Sequence, residues 1–239
     1  DLIEKAVTSY VDLSQVSPRD IHNIYDSILG GFSRDDIESL RRNVLYFLCK
    51  KADNYGSSVR KAFNYGFLDN LSGNKHLKQR AEEILKGKQK LNFQYVSEIL
   101  SSGFSEIQIE IIKSLLEDRM RTDVLKIRSL EGVINSLSAI SDINLKLLNK
   151  ITIFQFDEFD SKRESLEFIK AMINAHIPSS ILMLILTPSS YEEIKKGNVS
   201  VFDRLEKANY KIDLAGSNTL GELKDIMFEY IKHYDEKKY

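Results

Sequence analysis

Ile151–Asp160, ITIFQFDEFD, decides how the rest of the chain is read. Ile151–Phe156 is rich in β-branched and aromatic residues, as a strand requires, and it runs straight into two adjacent carboxylates, Asp157 and Glu158. Beyond them Ser161–Ala175 reads as a helix carrying Leu166, Phe168, Ile169 and Ile173. Ile181–Leu186 is then apolar at every residue, the pattern of a parallel strand covered on both faces. A short helix around Tyr191–Lys195, the segment Val201–Lys207, a strand at Tyr210–Leu214 and a helix from about Leu220 to Tyr234 complete the series. Alternation of strand and helix predicts a parallel α/β sheet.

Working back toward the N-terminus, Ala6–Leu13 fits a short strand. Ser17 reads as a helix cap with Pro18 at the first helical position, where its missing N–H costs nothing. Ile21, Ile24, Tyr25 and Ile28 share one face of that helix, and Gly30–Gly31 ends it. Ser33 caps the next helix, striped by Ile37, Leu40, Val44, Leu45 and Leu48. From there to about Asn149 only helical periodicity is legible, broken at Asn54–Gly56, Ser72–Asn74 and Ser102–Gly103. Ser105 with Gln108 makes a capping box for Ile109–Met120. The expected architecture is an incomplete α/β parallel-sheet core (1–30 and 150–217), a large all-helical insertion (31–149) and a C-terminal helix (218–239).

At 239 residues and 42% apolar content, the chain can bury a substantial core. A net charge of -1 excludes a global field that would hold it to nucleic acid or an anionic membrane. The single cysteine, Cys49, excludes an internal disulfide framework, suits a cytoplasmic location, and reads as core packing within VLYFLC. The apolar run Ile181–Leu186 is too short to span a bilayer, so no membrane partner is expected. His22, His76, His176 and His233 are scattered without partners at zinc-ligand spacing.

Ligands of open α/β sheets bind outside the carboxyl ends of the strands. Asp157 and Glu158 lie at one such end. Thr187, Ser189 and Ser190 follow the next strand, on the same edge if the two are parallel, and Arg204 comes one short helix later. This order resembles the second half of an AAA+-like (ASCE) P-loop ATPase: a Walker B strand, a polar sensor, then an arginine before the last core strand. Val11–Leu29, VDLSQVSPRDIHNIYDSIL, is similar to the strand and helix that follow the phosphate-loop helix in such ATPases. The helical insertion before Walker B resembles prokaryotic ATPases of the phage-exclusion type and some archaeal relatives of origin-recognition ATPases. The resemblance spans roughly Ala6–Leu29 and Ile151–Tyr234.

What the resemblance implies is an ATP-driven conformational motor or switch with ATP and Mg²⁺ as cofactors. Asp157 would hold the Mg²⁺, usually through water, and Glu158 would orient the attacking water. Thr187, or else Ser189, would be the sensor, and Arg204 an arginine finger or nucleotide-state sensor. Such residues act by positioning reactants and neutralising charge on phosphate oxygens. The family also implies self-association with nucleotide at a subunit interface, and a protein partner.

One part of the pattern is missing: no G-x-x-x-x-G-K-[ST] loop occurs between Asp1 and Tyr239. That loop supplies the main-chain amides and the lysine that hold the β- and γ-phosphates. Its strand lies between the sensor strand and the final strand, so without it Tyr210–Leu214 lacks a parallel neighbour. A strand–loop–helix unit is therefore expected before Asp1 in the native polypeptide, and residues 1–239 alone are expected to bind nucleotide weakly or not at all.

Each feature also has a plainer reading. Asp157–Asp160 serves as an acidic turn capping the following helix, with Asp160 as the cap. Thr187–Ser190 is a turn with a helix cap, and Arg204 pairs on the surface with Asp203 or Glu206. The chain is then a non-catalytic protein- or DNA-interaction module, a degenerate ATPase. Basic residues at Lys75–Lys90 and Arg119–Arg128 suit either an ordinary solvated helix face or nucleic-acid contact.

Overall fold

A computed structural model of the chain describes residues 5–16, 21–65, 76–117, 127, 129–159 and 163–207. It is a mixed α/β protein, mostly helical, with a small three-stranded parallel sheet in the order β1–β2–β3. The strands are β1 (Ala6–Asp12), β2 (Ile151–Asp157) and β3 (Ser180–Leu184). The chain divides into two compact units, Asp1–Val201 and Phe202–Tyr239. Ser17–Pro18, Ser72–Asn74, Met120, Asp160–Ser161, Tyr210–Leu214, Leu220–Tyr234, Lys75 and most of Arg119–Arg128 lie outside the described residues.

Both strand pairings put equivalent faces side by side. Ser9 faces Phe154 and Val11 faces Phe156 across β1–β2, while Phe154 faces Leu182 across β2–β3. Because side chains alternate, Val7, Ser9, Val11, Thr152, Phe154 and Phe156 all share one face, and all six are buried. Three helices cover it: α1 (Ile21–Gly30), α7 (Leu130–Leu148) and α8 (Arg163–Ala175). Phe156 meets Phe168 of α8 edge to face at 5.6 Å.

Polar groups on this face are matched to helix partners. Ser9 Oγ donates to the Ile28 carbonyl (2.6 Å), and Asn144 Nδ2 of α7 donates to Thr152 Oγ1 (3.0 Å). Ser141 Oγ reaches the carbonyls of Pro178 and Ser179, just ahead of β3, at 2.9 and 3.0 Å. Helix α7 thus touches the starts of β2 and β3. Only Asn149, left-handed at φ 54°, and Lys150 separate α7 from β2.

The opposite face is open. Tyr10, Ile181 and Met183 are 46%, 44% and 45% exposed, and Ile153 and Gln155 beside them are half-buried. The expectation that Ile181–Leu186 is covered on both faces is therefore wrong. The strand is shorter, ending at Leu184, and among the described residues it lies at the edge of the sheet with no packed layer over its second face.

The helical region is packed on itself. Helix α2 (Arg34–Lys50) lies against α4 (Leu77–Leu85) and α7, α3 (Ala52–Ala62) against α5 (Phe93–Leu100), and α6 (Glu106–Leu116) against α7. Ser33 caps α2 through the Asp36 N–H, and Leu40, Val44, Leu45 and Leu48 are buried as expected, with Ile37 half-buried. Ser105 and Gln108 form the expected capping box, at the start of α6. The break expected at Asn54–Gly56 is present as a kink at Tyr55 (φ -126°, ψ 34°) that interrupts α3, and a further boundary separates α2 from α3 at Lys51. Cys49 is partly buried, and burial pushes its thiol up to about 11.

Candidate functional site

Parallel pairing brings the carboxyl ends of all three strands to one edge. Asp12 ends β1 and stands in register with Asp157, which ends β2. Past Asp157 the chain turns sharply. The Leu13 N–H donates to the Asp157 carbonyl (3.0 Å), and the Ile185 N–H to the Phe156 carbonyl (2.9 Å). Phe159 is fully buried and pins the far side of the turn. Between these anchors Glu158 is exposed at φ 50°, a left-handed conformation that costs a non-glycine residue roughly 1–2 kcal/mol.

That turn fixes Asp157 from within. Asp157 Oδ1 accepts the Glu158 N–H at 2.8 Å, while Oδ2 accepts the Tyr10 hydroxyl at 2.9 Å. The hydrogen bond to Asp157 holds the Tyr10 phenol above its ordinary value, because losing the proton would set a second negative charge beside the carboxylate. Asp12 faces away from this pair in its bonding. Its Oδ1 accepts the Ser14 N–H (2.9 Å) and hydroxyl (2.6 Å), and its Oδ2 accepts Gln15 Nε2 (2.6 Å). The Ser14 hydroxyl in particular holds the Asp12 carboxyl below the usual carboxylate range.

Thr187 follows β3 on the same edge, as the N-cap of α9 (Pro188–Gly197), with Pro188 at the first helical position. Its hydroxyl accepts the Ser190 N–H at 3.2 Å and lies 2.9 Å from the hydroxyls of both Ser189 and Ser190. Arg204 lies in the last turn of α10 (Val199–Glu206), in the second unit. The strand ends therefore gather Asp157, Glu158 and Thr187 on one edge, as the sequence order predicts.

Neither family models, nor curated proteins, nor solved structures match this chain. Among the described residues, no helix is long and apolar enough to cross a membrane, and no group of three or more His, Cys, Asp or Glu could hold a metal ion.

Sequence reasoning missed Tyr10 and Asp12. Both lie on one face of β1 at the period of two, and a carboxylate at the end of β1 was visible. Their proximity to Asp157 depends on the β1–β2 register, across 147 positions, which no local pattern encodes.

Proposed function

We propose that this chain is part of an AAA+-like ATPase, an ATP-driven motor or switch. In this reading an incomplete P-loop-NTPase-like core carries the helical region 31–149 as an insertion. One observation supports it: three parallel strands in the order β1–β2–β3, with adjacent carboxylates at the end of the middle strand and the Thr187 turn following β3 at the same edge. Open parallel sheets bind their ligands at that edge. A cytoplasmic location and a protein partner go with this reading.

ATP and Mg²⁺ are the cofactors. Mg²⁺ is commonly held by one or two carboxylates together with waters and substrate phosphates, and a single carboxylate such as Asp157 meets that requirement. Bound there, the ion supplies charge neutralisation on the phosphate oxygens. Glu158, exposed beside Asp157, orients and polarises the attacking water. The amides and lysine of a phosphate loop are not contained in residues 1–239. The strand leading into such a loop would add to β3, which pairs on one side only among the described residues.

Glu158→Gln in the full-length protein tests the reading. Turnover should fall by about 10²-fold or more, the range expected for losing a general base, while nucleotide binding persists. Unchanged turnover, or no hydrolysis by the parent protein, overturns it. A second reading, a non-catalytic protein- or DNA-interaction module, is favoured by the self-satisfied hydrogen bonding of the edge: both Asp157 oxygens and the Thr187 hydroxyl have internal partners.

A further inference from the structure

We infer that Tyr10 is a positioning residue for Asp157, holding its carboxylate in one orientation at the strand edge. The inference deepens the ATPase reading and rests on it for its functional meaning. In the parallel register Tyr10 stands opposite Gln155, so it is the diagonal neighbour of Asp157 on the open face of the sheet. From there its hydroxyl reaches Asp157 Oδ2, while the Glu158 N–H takes Oδ1.

Two donors from different directions, one on the next strand and one on the next residue, remove the carboxylate's freedom to rotate. Each oxygen still has a further lone pair for a metal-bound water. Asp12 lies directly opposite Asp157, but its own oxygens are occupied by Ser14 and Gln15, so it does not compete for the Tyr10 hydroxyl. The Glu158 N–H belongs to the peptide immediately after Asp157, so this second donor comes from the turn itself.

Packing does not account for Tyr10. Its ring stands on the open face, nearly half exposed, where its hydroxyl has water as an alternative partner. A tyrosine there contributes little to the core. It does supply a donor of fixed reach, because the ring sets the distance from the β1 backbone to the hydroxyl. Partners that orient a metal-side carboxylate tune metal affinity without touching the metal.

The test compares parent protein, Tyr10→Phe and Glu158→Gln, full length, in ATP hydrolysis against Mg²⁺ concentration. Tyr10→Phe keeps the ring and removes only the donor. The Mg²⁺ concentration for half-maximal turnover should rise about tenfold, the lower end for loss of an orienting partner. At saturating Mg²⁺ the KM for ATP should change little. An unchanged Mg²⁺ dependence with a lowered Tm means a merely structural cross-strand pair, and overturns the inference. A lower Mg²⁺ requirement means the hydroxyl blocks the site, which also overturns it.

A second measurement separates this outcome from failure of the ATPase reading. Tm values are compared for Tyr10→Phe, Asp157→Asn and the double variant. If Tyr10 holds Asp157, the double variant loses clearly less than the sum of the singles. Additive losses sink the positioning role whatever Glu158→Gln does to turnover.

Discussion

The helical region and the sheet bury themselves in different ways. Between α2 and α7 each helix finds its cover in another: apolar stripes meet, and side chains of the chain itself cap α2, α5, α6 and α7. The sheet is one-sided. Its lower face is sealed by α1, α7 and α8, while Tyr10, Ile181 and Met183 stand exposed on the upper one. A parallel sheet normally carries layers on both faces, and its strands are correspondingly apolar throughout. The lesson is that β3 has the composition of a two-sided strand, while the described residues cover one side.

The contrast predicts unequal sensitivity to truncation on the two faces. Phe154→Ala, on the sealed face and fully buried, should destabilise the protein by about 3–5 kcal/mol. Met183→Thr, one residue on from its neighbour Leu182 and on the open face, should stay within about 0.5 kcal/mol. Urea unfolding of both variants checks this. Comparable losses would mean that the upper face is covered in solution.

A smaller effect probes the seam between the two regions. Asn144→Ala leaves the buried Thr152 hydroxyl without its donor, and should cost about 1–3 kcal/mol. The urea midpoint reports it. A neutral result would show that α7 and β2 are joined by shape alone.

The smallest effect concerns the strand edge in acid. Because the Ser14 hydroxyl holds Asp12 below its ordinary value of 3.8, the folded chain favours the carboxylate. The resulting stability is fully present above pH 3.8 and is lost as pH falls through the lower folded value. Asp12→Asn should therefore flatten the acid limb of Tm against pH. Superimposable limbs for the two proteins would contradict the hydrogen-bonded turn.

Legibility followed range. Ser33, Ser105 with Gln108, and the strands at Ala6 and Ile151 were readable because a cap or an alternating run is settled within a few residues. The common edge for Asp157 and Thr187 depended on two strands joined by one helix being parallel, as alternation of strand and helix favours and the β2–β3 pairing shows. The face that β3 leaves bare was not readable, since an unbroken apolar run states no preference between sides. The kink at Tyr55 was legible for the same reason as the caps: Asn54–Gly56 signals a break locally, and the helical geometry is interrupted there. Tyr10 stayed hidden because its role exists only once two distant strands lie in register.

Gly31 has a consequence for misassembly. Its carbonyl accepts the Tyr10 N–H at 3.2 Å, Phe32 bridges to Ser9, and a side chain at Gly31 would overlap the Tyr10 carbonyl oxygen. The outer flank of β1 is thereby stoppered along Ser9–Tyr10. Among the described residues strand addition is open on the β3 flank alone, so two copies of these three strands meeting edge to edge would terminate each other as a pair. A fibril needs two sticky flanks per molecule, and the described strands offer one.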